Sequence, residues 1–219
     1  MVESVLLDND IVIKSCSYKL SKELLCALSQ GCVAPAILGV ARYTIRSQIM
    51  RQRNLVDQEG AKSAVDELLG SLRILEPEDR EIEFAAELEQ HAIELSLELD
   101  TGESQLFAIL VSRGAKLLIT GDKRAIRALE LLAPPGFNER MACLEQLMAT
   151  FLLFTDHLVL RHRICSEPAV DKAITACFSC SSPVEVASIL AGLQSYIADL
   201  RRQAGRLLTT SLNLSTVIS

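Results

Sequence analysis

The residues of this chain most able to do chemistry are carboxylates in three short clusters: Asp8 with Asp10, Asp100 with Glu103, and Asp122. Each stands at the end of an apolar run or at the opening of a helical one. Carboxylates drawn together from separate parts of a chain repel one another, so a site built from them is costly unless a cation neutralises it. Hard oxygen donors of this kind suit Mg²⁺ or Mn²⁺. A cation held in this way activates water and shields the charge that develops when a phosphodiester is hydrolysed. Any one of these residues also reads as a helix N-cap, a position Asp favours: Asp8 before a helix, Asp100 ahead of Gly102, Asp122 ahead of Lys123. Three clusters at corresponding element ends favour the functional reading. Thr120 is placed to orient a carboxylate or a water. Lys123, Arg124 and Arg127, near the same strand end, either meet phosphates or form a solvated helix face.

The elements that must position these residues follow from the hydropathy pattern. Residues 4–8 form a short apolar run ending in a carboxylate, as a buried parallel strand does when its C-terminal end opens on a site. Helical patterns follow over 21–29 and 36–51, with Gly31 as the stop between them. Asp57 caps a helix to about residue 70, and Arg73-Ile74-Leu75 offers a brief strand. From Pro77, taken as the first helical residue, Ile82, Ala85, Ala92 and Ile93 mark a long one-faced helix with an acidic first turn. Gly102 opens the next helix and Gly114 ends it. Residues 116–120 form the clearest strand, with a helix on either side, and Asp122 follows at its C-terminal end. This alternation predicts an α/β fold, a three-layer α/β/α sandwich around a short central parallel sheet. In such sheets ligands bind at the carboxyl ends of the strands. After the break at Pro134-Pro135-Gly136 the pattern is helical over 141–156, 168–178 and 183–205, with a Ser/Thr-rich tail from Thr209. The division expected is a core domain over 1–150 and a C-terminal α-helical extension with its tail over 151–219.

Composition bounds the function classes. The chain has 219 residues, 49% hydrophobic and 23% charged, with ten Gly and six Pro, which excludes wholesale disorder and fibrous repeats. Its apolar runs fall short of the roughly 18 residues a membrane span needs, and Met1 leads directly into a strand-like segment, so the expectation is a soluble, cytoplasmic protein without a membrane partner. The net charge of −6 is uneven. Residues 76–103 carry eleven acidic residues against Arg80 alone, which leaves the remainder at +4. That excess permits contact with a polyanion.

Three segments carry a family resemblance. Leu6-Leu7-Asp8-Asn9-Asp10-Ile11-Val12, then residues 100–108 (Asp-Thr-Gly-Glu-Ser-Gln-Leu-Phe-Ala), then Leu118-Ile119-Thr120-Gly121-Asp122-Lys123-Arg124 resemble, in order and spacing, the first, third and fourth motifs of the PIN-domain nucleases. The resemblance covers about residues 3–150. It implies a PIN-like sheet, an acidic pocket holding Mg²⁺ or Mn²⁺, and cleavage of RNA. On that analogy Asp8 is a metal ligand, Glu103 and Asp122 complete the metal shell, and Asp100 and Asp10 support it. Resemblance to toxin halves of toxin–antitoxin pairs further implies an antitoxin partner and a homodimer. The chain departs from the family where a second-helix Glu is usual, because Gly39-Val40-Ala41-Arg42-Tyr43 stands there and no acidic residue lies between Glu23 and Asp57. Arg42 can instead pair with Asp8 or contact RNA. Two other classes are carried beside the nuclease. One is a non-catalytic interaction module keeping the fold. The other is a haloacid-dehalogenase-type phosphatase, which Asp8-Asn9-Asp10-Ile11-Val12 also resembles, with Asp8 as nucleophile and Asp10 as acid/base; the closing acidic pair of that family is absent after Asp122.

The seven cysteines are odd in number and irregularly spaced, which reads as reduced, buried thiols. His162, Cys165, Cys177 and Cys180 include a Cys-x-x-Cys able in principle to bind zinc, but the apolar helical run around Cys177 favours free thiols. His91 reads as a surface residue. In the extension, Leu190, Leu193, Ile197 and Leu200 form a stripe expected to pack on the core or a second subunit, while Arg201, Arg202 and Arg206 are candidates to extend an RNA surface.

Overall fold

The structure, a computed structural model, describes residues 5–29 and 33–218. The order of elements is β1 (Val5–Leu7), α1 (Asn9–Ser17), α2 (Ser21–Leu28), β2 (Ala36–Leu38), α3 (Ala41–Arg51), α4 (Gln58–Leu69), β3 (Arg73–Leu75), α5 (Asp79–Glu94), α6 (Thr101–Arg113) and β4 (Leu117–Thr120). There follow α7 (Lys123–Leu132), β5 (Met141–Cys143), α8 (Leu144–Phe151), α9 (His157–Ser166), α10 (Lys172–Cys177), α11 (Val186–Arg201) and α12 (Leu214–Val217). The strands form one five-stranded, all-parallel sheet in the order β3-β2-β1-β4-β5, flanked by helices. Strands of three or four apolar residues suffice here because the sheet is covered, and β1, β2, β4 and β5 are buried throughout. The chain lays down β1 to β3 in one direction and β4 and β5 in the other. The order therefore reverses between β1 and β4, and ligands bind outside the carboxyl ends of strands at such a reversal.

Two segments read as helical are partly strand. Ala36–Leu38 is β2, held between β1 and β3, and Gly39 N–H donates to Leu75 O at 2.8 Å; the helix starts only at Ala41. Met141–Cys143 is β5, paired to β4, before α8 begins. Short buried apolar runs fit either period, and only their long-range hydrogen-bond partners decide. Pro77 lies outside α5 rather than at its first position. Glu78 is the N-cap, with Glu81 closing a capping box. The expected stop at Gly31 falls outside the described residues. Gly114 does end α6, in the left-handed region at φ 65°.

The C-terminal region shares the core. The apolar cluster runs from Val5 to Ile218, and α11 packs on α8 and α10 with Ile189, Leu193, Ile197 and Leu200 buried and Leu190, expected in that stripe, only half-buried. The tail passes along β5, with Met141 N–H donating to Leu207 O at 2.9 Å and Thr209 N–H to Met141 O at 2.8 Å. Gln146 and Thr150 on α8 bind its backbone further on. The extension's arginines are engaged within the chain. Arg201 donates to Thr209 O, Arg206 to carbonyls at the end of α7, and exposed Arg202 pairs with Asp199.

The cysteines also differ from expectation. Cys165 and Cys180 form a disulfide, because the α9–α10 hairpin brings their Cα atoms to 5.3 Å. Cys26 is exposed, while Cys16, Cys143 and Cys177 are buried free thiols and Cys32 lies outside the described residues. The disulfide takes two thiols from the zinc set considered above and removes the cysteine argument for a reducing compartment. Among the described residues no helix is long and apolar enough to cross a membrane.

Candidate functional site

Three helices begin beside the reversal between β1 and β4, each capped by a carboxylate from one of the three clusters. Asp8 leaves β1 and accepts the Asn9 N–H on Oδ1 at 2.6 Å, opening α1. Asp100 opens α6 by accepting the Glu103 N–H at 2.8 Å, and Glu103 returns the bond by accepting the Asp100 N–H at 3.2 Å. Asp122 leaves β4 and accepts the Arg124 N–H at 2.7 Å, opening α7. The capping reading is correct at all three positions, and each cap is typically worth about 1 kcal/mol. The caps also converge. Asp8, Asp10, Asp100, Glu103 and Asp122 line one open cleft of about 370 Å³.

Thr120 ties two of these carboxylates together. Its buried hydroxyl donates to Asp8 Oδ2 at 3.0 Å and accepts the Asp122 N–H at 3.0 Å. The parallel register of β1 on β4, with Leu7 opposite Ile119, places the two strand ends side by side for this contact.

The electrostatics divide the cluster. Burial, then the neighbouring Asp10 charge, raises Asp8 to about 6. Burial, then Asp100, raises Glu103 further, to about 8. No basic side chain is among the main influences on either. Burial also raises Asp10, although Lys14 one turn along α1 lies 2.8 Å from its Oδ2. Asp122 goes the other way: burial would raise it, but Arg124 holds it below the ordinary carboxylate range. The Arg124 guanidinium reaches both Asp122 oxygens, at 3.2 and 2.8 Å, and Glu98 at 2.5 Å. Among the described residues no three His, Cys, Asp or Glu side chains are close enough, as placed, to surround a metal ion.

Of the basic residues singled out, Arg124 lines the cleft. Lys123 does not: it pairs with buried Glu145 and lies 4.8 Å from the Tyr196 ring centroid, because its position on α7 turns it toward α8 and α11. Arg42 stands over Tyr43 and donates from Nε to Gly39 O at 3.5 Å, rather than pairing with Asp8, and neither it nor Arg127 lines the cleft or the recess beside it. His91 is exposed, as expected.

Sequence reading missed three contributors. Gln48 on α3 lines the cleft, and with Thr44 it faces an adjoining recess of about 780 Å³ that also includes Asp8, Asp100 and Glu76. These neutral side chains occupy the wall on which the expected Glu is absent. Lys14 also lines the cleft, and its spacing from Asp10 is an ordinary helical ion-pair signal. Its second partner, Asp171 at 2.8 Å, caps α10 and is 157 residues away, with no local signal to announce it. Gly121 lets the Asp10 carboxylate lie close against the chain, since a Cβ there would stand 1.8 Å from Asp10 Oδ2 and displace that side chain. Comparison of the chain with family models, curated proteins and solved structures finds no match.

Proposed function

We propose that the protein is a PIN-like, metal-dependent ribonuclease with a three-layer core, hydrolysing RNA phosphodiesters in the cleft around Asp8. The observation carrying this reading is the convergence of Asp8, Glu103 and Asp122 at the carboxyl edge of a parallel sheet, where its strand order reverses. The donor set fits Mg²⁺ or Mn²⁺ in kind, being all carboxylate oxygen, and the raised Asp8 and Glu103 mark a place where positive charge is in deficit. Asp8, Glu103 and Asp122 would hold the ion, which when bound supplies an activated water and shields the phosphate. Thr120 keeps the Asp8 carboxylate in one orientation, and the Asp100–Glu103 capping box does the same for Glu103. Arg124 stands at the rim, where a guanidinium binds phosphate oxygens.

A second reading, a non-catalytic module retaining the fold, is favoured by two features: Arg124 already neutralises Asp122, and α3 presents Gln48 rather than a carboxylate. One experiment separates them. Purified protein is incubated with labelled single-stranded RNA or DNA in Mn²⁺, Mg²⁺ or EDTA, beside Asp8→Asn and Asp122→Asn. Cleavage that needs metal and disappears in both variants is the result expected of the nuclease. Equal behaviour of wild type and variants, with no calorimetric Mn²⁺ binding, selects the module. Release of phosphate from a monoester, lost in Asp8→Asn, would select a phosphatase instead.

A further inference from the structure

The wall that lacks the expected carboxylate leads to a basic recess. Thr44, Gln48 and Arg51 are spaced four and three residues apart, which sets them on one face of α3. Thr44 and Gln48 face the acidic cleft and its adjoining recess. Arg51 opens on a separate recess of about 410 Å³, lined also by Arg53, Asn54, Ala169 and Val170. Residues 24–56 contain four arginines and no acidic residue. Arg46 is committed to Asp66 at 2.9 Å, and Arg163 and Arg113 are likewise paired, with Glu23 and Glu81. Arg51 and Arg53 are exposed, and among the described residues neither has an ion-pair partner. Two guanidinium groups on one recess repel each other, and an anion bound between them relieves that repulsion.

The walls of this recess are anchored. Glu167, buried at 2% exposure, accepts the Val56 N–H at 2.8 Å and the Asp57 N–H at 2.7 Å, which fastens the segment after α3 to the α9–α10 connection. Its charge is therefore spent on backbone donors. Asp57 pairs with Lys19 and caps α4 through Gly60. Ala169 and Val170 follow closely after Glu167 and form the opposite wall.

We propose that this recess binds a phosphate of a single-stranded RNA whose neighbouring phosphodiester lies in the acidic cleft, with the Thr44–Gln48–Arg51 face of α3 as the track between them. The choice of RNA rests on the nuclease reading, whereas the anion site does not. A guanidinium fork matches phosphate oxygens in geometry as well as charge. Tyr43 is exposed on the same helix but one residue off this face and with the Arg42 guanidinium over its ring, so the track consists of Thr44, Gln48 and Arg51 alone. The extension then has a part in binding, as one wall of the recess.

The test is fluorescence anisotropy of a short labelled single-stranded RNA in EDTA, where cleavage is off, titrated at several salt concentrations. Proteins compared are wild type, Arg51→Ala/Arg53→Ala, Arg51→Lys/Arg53→Lys, and Arg80→Ala as a control that removes a charge from α5. The double alanine variant is expected to bind about tenfold more weakly, and its salt slope to fall by about 0.7 for each phosphate the protein no longer neutralises. The double lysine variant should keep the slope, and Arg80→Ala should match wild type. Unchanged binding in the double alanine variant, or equal weakening by Arg80→Ala, overturns the proposal. Displacement of the RNA by polyglutamate at matched charge overturns it in favour of an acidic polypeptide. Binding that depends on Arg51 and Arg53 with no Mn²⁺-dependent cleavage keeps the anion site and discards the nuclease. Cleavage with unchanged binding does the reverse.

Discussion

The hydroxyl of Thr120 donates to Asp8 across the seam between β4 and β1, at 3.0 Å, and it is a buried hydroxyl facing a buried carboxylate. Among the influences on Asp8 this bond opposes the two largest, burial and the Asp10 charge. Thr120→Val keeps shape and volume but removes the donor, so Asp8 should titrate above its present value of about 6. Stability should fall by about 1–2 kcal/mol, the usual cost of leaving a buried acceptor short of a partner. Thr120→Ser should restore both. Carboxyl-carbon NMR of Asp8 through a pH titration reads the first effect directly; an unmoved midpoint in Thr120→Val would show that the hydroxyl does not set it.

Glu103 ties stability to pH in a defined direction. Its carboxyl is raised to about 8 in the fold, so between the ordinary carboxylate range and that value the folded state holds a proton the unfolded chain has released. Stability contributed by this group is therefore lost as pH rises through that window, and Asp8 acts in the same sense up to about 6. Glu103→Gln, which keeps an acceptor for the Asp100 N–H, should resist denaturant better than wild type above pH 8. The gain expected is on the order of a few kcal/mol, since each tenfold change in acidity carries about 1.4 kcal/mol. At pH 5 the two should be alike. Parallel urea curves at both pH values would disprove this if the difference failed to appear on the alkaline side.

Much of this site is legible in local sequence, and what is not has a physical reason. Asp8, Asp100 and Asp122 announce themselves because an N-cap has a local signature, and three caps at element ends imply a shared edge. Whether Ala36–Leu38 and Met141–Cys143 are strands is decided by partners far along the chain, which no local period encodes. The direction of Lys123 is similarly hidden, since Glu145 and Tyr196 reach it only through the packing of α8 and α11 against the core. The Cys165–Cys180 pairing depends on a hairpin of two short helices, of which α9 has no one-sided apolar period to reveal it.

Arg124 sets how available Asp122 is to a cation. It engages both carboxylate oxygens and is itself largely exposed. Arg124→Gln should leave the melting temperature near that of wild type, bring Asp122 back up toward the ordinary carboxylate range, and tighten Mn²⁺ binding several-fold in calorimetry. Weaker Mn²⁺ binding in this variant would mean that the arginine organises the site rather than competing for it.

Lys14 couples the extension to the cleft. Its ammonium lies 2.8 Å from Asp10 and 2.8 Å from Asp171, and the side chain is only 16% exposed. Burial alone would lower Lys14, but the two carboxylates outweigh it and raise it, while the lysine holds Asp171 below the ordinary range against its own burial. Lys14→Met strands both carboxylates and should destabilise the fold by on the order of 3 kcal/mol. Lys14→Met/Asp171→Asn should recover part of that loss, since the second change removes one stranded charge. A double-mutant cycle from urea denaturation measures the coupling. Additive losses would mean that α10 sits on the core without help from this pair; a large coupling accompanied by a shifted Asp10 titration would show that the extension orders the acidic cleft from behind.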